Sequence, residues 1–247
     1  MSPEDFSRRV EALWAAHFGC RARDFDRPGT TLLPRDHLRG ADLIHIVYLR
    51  RRALAELDPA LEGQVGVLLA DRGDGALLSY ELLQQAWDQA RVAGVEKGLI
   101  FHLRPGELVR PRLKPGFNLG RLSSDNQAAL DALRRRCTEQ EIEEAYVEIE
   151  HEIAWGCFQD GRLAAVGSGY RRNGFMDIGV LTAPEFRGQR LARHVVCALA
   201  DDTLELGLIP QYRCNQINQA SGRVAEAAGF TLYFTTESVK VKSAGRG

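Results

Sequence analysis

The chain has 247 residues, 45% of them hydrophobic, and its 32 Lys+Arg against 33 Asp+Glu leave a formal net charge of −1. That size and apolar content suffice for one large globular core or two small ones, while the near-zero charge excludes a general basic surface and hence nucleic acid as the main partner. Five scattered cysteines without CxxC spacing argue against a disulfide framework and a zinc site.

No metal is expected, and a reducing, cytoplasmic setting suits the free thiols. The start, MSPEDFSRRVEALWAAHFG, lacks the basic region and apolar run of a secretory leader. No stretch approaches the ~18 apolar residues of a membrane span, so no membrane partner is expected. Oligomeric state is left open by the sequence.

The first segment predicts a capped helix, with Ser2 as N-cap, Pro3 in the first turn, Asp5 three residues after the cap and Gly19 past the end. PGTTLLP carries turn signals, LIHIVYL reads as a strand, YELLQQAWDQARVAG as an amphipathic helix ending at Gly94, and GLIFHL as another strand. Then LRPGELVRPRLKPG, residues 103–116, interrupts the pattern with three prolines and two glycines. A division there gives an N-terminal α/β region, 1–115, and a second domain, 116–247.

In the second part SSDNQAALDALRRR predicts a helix capped by Ser123 or Ser124, and TEQEIEEAY a second one with Thr138 and Glu141 in capping-box spacing. Asp160-Gly161 and Asn173-Gly174 are two-residue turns between strand-like runs, which predicts a three-stranded antiparallel meander. A helix follows from RGQRLARHVV to Gly207, then a strand IPQYRCN, a short helix QASGRVAEAAG and a last strand FTLYFTTESVKV. The tail SAGRG is expected to be disordered.

The helix after the meander poses an electrostatic question. Arg187, Arg190 and Arg193 crowd its start, where the helix dipole penalises each cation by ~0.3–1 kcal/mol. A bound polyanion reverses that sign, because unpaired N–H groups converge at a helix N-terminus.

VLTAPEFRGQRLA resembles the acyl-CoA-binding signature of the GNAT superfamily of N-acetyltransferases: a strand, a proline-containing turn, then Q/R-x-x-G-x-G/A opening the central helix. NQASGRVAEAAGF resembles a later segment of the same superfamily, and the order of elements agrees. The resemblance implies an α/β (α+β) fold: a mixed, largely antiparallel sheet flanked by helices, with the N-terminal region as an addition. It also implies acetyl-CoA as acyl donor and a small-molecule or peptide amine as acceptor. Arg187 and Ala192 fill the outer positions of the signature, but Arg190 stands where it has glycine.

By that resemblance, Val180, Leu181 and Thr182, within the run Ile178–Thr182, hold pantetheine. Arg187, Gly188, Gln189, Arg190, Leu191 and Ala192 seat the pyrophosphate, and Asn218 and Ser221 touch the cofactor. Acyl transfer needs a neutral amine and a proton for the departing thiolate. Asp177 is the candidate base, with Glu148, Glu150 and His151 as polar surface near the same cleft. The usual tyrosine acid is replaced by Ala225, which leaves Tyr212, or Cys214, as substitute. The rival reading is a catalytically silent coenzyme A-binding sensor or interaction module. Because about eighteen residues follow Gly229-Phe230 where the superfamily commonly has two strands, the N-terminal region is expected to cover a sheet edge or wall the acceptor pocket.

Overall fold

A computed structural model describes residues 1–87 and 91–242; SAGRG, 243–247, lies outside the described residues. The chain divides into two compact units: one of Met1–Phe6, Ile100–Cys214 and Asn218–Leu232, the other of Ser7–Leu99, Asn215–Ile217 and the C-terminal segment from Tyr233. This is not a single cut near residue 115. The proline-rich run belongs wholly to the first unit, where the Val109 N–H donates to the Ala228 carbonyl at 3.0 Å. Prolines there remove N–H groups that a strand would need, yet an irregular strap can still pack through the amides that remain.

The second unit holds most of helix α1 (Pro3–Phe18), strands β1 (Gly29–Pro34), β2 (Leu43–Leu49) and β3 (Arg52–Leu57), and helices α2 (Glu62–Ala70) and α3 (Tyr80–Ala86). It also takes the greater parts of β4 (Val92–His102) and β10 (Thr231–Val241). Strand order is β1-β3-β2-β10-β4, with β1 parallel to β3 and β2 antiparallel to both β3 and β10.

Ser2 caps α1 as expected, its Oγ accepting from the Asp5 N–H at 3.1 Å. Two expectations change in this unit, and one strand was not foreseen. GTTLLP is strand β1, not a turn. RALAEL is a strand although it is built from helix formers. The helix at Tyr80 stops by Trp87, which is extended, and Gly94 lies inside β4. Tertiary pairing wins over local propensity in each case, since Ala53, Leu54, Ala55 and Leu57 are buried and every one pairs with a residue of β2.

The first unit contains β5 (Phe117–Arg121), α4 (Gln127–Arg134), α5 (Glu139–Ala145), β6 (Ile153–Gln159), β7 (Arg162–Arg172), β8 (Phe175–Thr182), α6 (Leu191–Glu205), β9 (Ile209–Asn215, to Cys214) and α7 (Gln219–Ala228). The order is β9-β8-β7-β6-β5, antiparallel except for the parallel pair β8–β9. Beyond β9 comes the end of β4, Ile100–His102, and the next residue's N–H, at Leu103, donates to the Pro210 carbonyl at 3.1 Å. A strand end from the N-terminal part of the chain thus covers the β9 edge.

The meander forms as the turns predict, and both residues of each turn have positive φ. Thr138 and Glu141 make the reciprocal capping box of α5. A Cβ on Gly167 of β7 would strike Val195 and Leu199 of α6, whereas one on Gly179 of β8 would stand 1.9 Å from the Ala145 carbonyl oxygen at the end of α5. Helix α6 therefore lies on one face of the sheet, and the end of α5 on the other.

Candidate coenzyme A and acceptor site

Strand β8 has two halves. From Phe175 to Ile178 it pairs with β7 on one side and β9 on the other; from Gly179 to Thr182 it pairs with β7 alone. The parallel register ends at Ile178↔Tyr212, so Gly179 to Thr182 have no β9 partner, and on that edge the Thr182 carbonyl is taken by Arg187 Nε. Main-chain donors and acceptors on such an edge are a template for an extended ligand. Gly179 permits the close approach of α5 that walls one side, because any side chain there would collide with the Ala145 carbonyl.

Past Thr182, the turn Pro184–Phe186 leads into a loop with Gly188 and Arg190 both in the left-handed region, at φ +75° and +65°. Arg190 is the N-cap of α6 and gives no side-chain cap. Among the described residues nothing accepts a hydrogen bond from the N–H groups of Gly188, Gln189, Arg190, Leu191 or Ala192. That is five donors next to the positive end of a 15-residue helix. The signature's glycine position is thus a positive-φ position, where a non-glycine residue costs ~1–2 kcal/mol.

The three arginines part company. Arg190 is exposed, and its guanidinium has no partner among the described residues. Arg187 is tied to Glu141 at 2.8 Å and to the Thr182 carbonyl at 3.2 Å. Arg193 turns to the Val109 carbonyl, 2.8 Å away, and so anchors the proline-rich strap. Leu191 is buried in the core, so only its amide is available to a ligand.

At α7 the polar groups are already used. Asn218 Oδ1 accepts from the Ser221 N–H at 3.1 Å, capping the helix, and Ser221 Oγ lies 2.8 Å from the Tyr212 hydroxyl. Tyr212 is 2% exposed and is the last β9 residue paired with β8. Burial raises its phenol pKa far above the ordinary tyrosine range, so it stays protonated at neutral pH. Its hydroxyl reaches α7 one turn before the buried Ala225. Burial likewise pushes the Cys214 thiol up, opposed by its hydrogen bond with Ser221, which argues against a nucleophilic thiolate.

Asp177, the candidate base, is 3% exposed and engaged through one of its oxygens. Its Oδ2 accepts from Arg213 Nε at 2.7 Å, from Arg213 Nη2, and from the Tyr170 hydroxyl at 3.0 Å. Pairing across the Asn173-Gly174 turn puts Tyr170 opposite Asp177, and the parallel register puts Gln211 on its other side. Asp177 holds Arg213 in place.

Also on the α5 face, Ser168 Oγ accepts from the Glu148 N–H at 3.1 Å and sits 2.8 Å from His151 Nδ1. This contact ties the ring to buried Ser168 of β7. Burial lowers the His151 pKa, opposed by Glu148, Glu152 and Glu150, and thereby favours the neutral imidazole. His151, Tyr146 and Tyr170 pack as a three-ring wall with centroids 4.9–5.2 Å apart. His151 is thus more than polar surface. Arg213, Tyr170 and this wall were missed in the sequence, although the Tyr170–Asp177 pairing follows from counting back from the two-residue turn.

The family model described as GNAT acetyltransferase matches residues 153–237. Residues 153–237 are thus similar to the GNAT acetyltransferases.

Solved structures extend the likeness in fold. An acetyltransferase of the GNAT family from Colwellia psychrerythraea has 20% identity and a TM-score of 0.51 over 76% of each chain. A GCN5-related N-acetyltransferase from Sphaerobacter thermophilus has 12% identity and a TM-score of 0.55 over 80% of this chain and 76% of its own. Another from Kribbella flavida has 15% identity and a TM-score of 0.50 over 78% and 70%. No curated protein matches the sequence. These coverages exceed the C-terminal half, so the likeness reaches into the N-terminal region. Among the described residues no helix is long and apolar enough to cross a membrane, and no group of His, Cys, Asp and Glu could hold a metal ion.

Proposed function

We propose that the chain is an N-acetyltransferase that moves an acetyl group from acetyl-CoA to a primary amine of a small molecule or peptide by direct attack. The observation that carries this reading is the coincidence, within one GNAT turn, of an open β8 edge and five unpaired N–H groups. Such amides suit the diphosphate of coenzyme A, and the edge suits the amide-bearing pantetheine arm. Residues Gly188 to Ala192 would hold the diphosphate, and Gly179 to Thr182 the arm. When bound, the thioester supplies the activated acyl group.

The chain's own residues divide the remaining work. Arg190 adds an exposed positive charge at the diphosphate, and Arg187, pinned to Thr182 and Glu141, stiffens the turn. Tyr212, protonated and fixed by Ser221 at the apex of the split, is the proton donor to a departing thiolate. Asp177 is committed to Arg213, so the acceptor is received as the neutral amine rather than deprotonated by that carboxylate.

Free-thiol release from acetyl-CoA over a panel of primary amines tests the proposal. Amine-dependent release, with kcat/KM rising with pH towards the acceptor's own pKa in both wild type and Asp177→Asn, is the expected result. Saturable coenzyme A binding with no release from any amine points to the second reading, a GNAT-fold coenzyme A sensor or interaction module. That reading draws on Ala225, buried where the superfamily commonly has its tyrosine acid.

A further inference from the structure

We infer that Arg213 is a receptor for a carboxylate carried by one of the two substrates, an inference that rests on the acyl-transfer reading. Arg213 is the first β9 residue beyond the paired register, so it stands at the mouth of the split opposite Gly179. Its side chain is 36% exposed while that of Asp177 is 4% exposed, so one edge of the pair is buried and the other faces out. The buried edge is fully specified. Nε and Nη2 bind Asp177, and Nη2 also donates to the Tyr170 hydroxyl at 3.1 Å. Both hydrogens of Nη1 remain for a ligand, in a plane fixed by the other contacts.

Asp177 is the carboxylate that acts on Arg213, and it is spent on the buried edge of the guanidinium. A half-exposed, immobilised guanidinium needs little reorganisation to bind an oxyanion, whose charge-assisted hydrogen bonds are among the strongest available. A purely structural ion pair would not need to hold one edge of the guanidinium outward. The carboxylate can sit on the acceptor, as in an α-amino acid or a peptide end, or on the acyl chain of a dicarboxylic acyl donor.

Calorimetry on the full chain separates these sources. In one arm, a panel of N-acetylated α-amino acids is titrated against the matching N-alkylacetamides, with coenzyme A present. In the other, succinyl-CoA is titrated against acetyl-CoA. The carboxylate-bearing member of one arm is expected to bind about 10- to 100-fold more tightly to wild type. Arg213→Gln should remove that preference.

Since Arg213→Gln strands a buried carboxylate and can unfold the protein, Arg213→Gln/Asp177→Asn removes both charges together. Arg213→Lys keeps charge without the fork and should retain only a small part of the preference. Coenzyme A affinity should stay within about 2-fold in every variant, as no phosphate-seating group is touched. Loss of the preference in the double variant supports the inference for whichever arm shows it. If neither arm distinguishes wild type from the double variant, the inference is overturned whether or not thiol release occurs. Absence of release from every amine overturns the transferase reading instead.

Discussion

Two helix N-termini flank the split in this fold, and they are built in opposite ways. Helix α7 is closed by its own side chain: Asn218 Oδ1 takes the Ser221 N–H, and Ser221 Oγ is spent on Tyr212. Helix α6 is left open, with Arg190 held at a positive φ in the cap position and five consecutive amides unpaired. A closed terminus contributes stability; an open one forgoes a cap worth ~1 kcal/mol and carries a strained residue besides. The difference teaches where a ligand belongs, since the same chain caps one helix and leaves its neighbour open beside an unpaired strand edge.

Charge reversal at α6 gives the largest effect that can break this contrast. Arg190→Asp should weaken coenzyme A binding about 100-fold, or ~2.7 kcal/mol, while raising the stability of the free protein by ~0.3–1 kcal/mol through the helix dipole. Calorimetry and thermal unfolding on one preparation read both signs. Equal losses in binding and stability would mean that the terminus is merely structural.

Next comes the group shared between the two termini. Tyr212→Phe should lower kcat roughly 10-fold or more while leaving coenzyme A affinity within about 2-fold, as expected for a proton donor rather than a binding group. A change in KM for acetyl-CoA with kcat intact would place Tyr212 in packing instead.

Opening the closed terminus is a smaller perturbation. Asn218→Ala should cost ~1 kcal/mol of stability, read as a lower Tm, with coenzyme A affinity unchanged. Arg190→Gly is the mildest. Relief of the positive φ should stabilise the protein by up to ~1 kcal/mol, against a loss of coenzyme A affinity below about 10-fold.

The proposed donor side was legible in the sequence for a physical reason. It is built from backbone amides, whose positions follow from local signals: a strand, a proline turn, Gly188 and the start of an apolar helix. The meander was legible for the same reason, since two-residue turns fix their own register. What escaped was built by contacts distant in sequence. Asp177 looked like a free carboxylate because its partner Arg213 is 36 residues away. Strand β3 escaped because RALAEL is locally helical and becomes extended only between two strands. The strap at 103–116 looked like a domain boundary because prolines mark irregular backbone, and irregular backbone also packs, here against Arg193 and Ala228. In Arg190 the sequence showed a departure from the signature, but only backbone geometry showed that the position has positive φ.

The most direct test of the central claim is an amide-resolved NMR titration of the uniformly labelled protein with coenzyme A. The largest shift changes are predicted at Gly188 to Ala192 and along Gly179 to Thr182, with the capped amide of Ser221 nearly unmoved. Saturating changes centred on the start of α7, with Gly188 to Ala192 silent, would contradict the account, as would no change anywhere at millimolar coenzyme A.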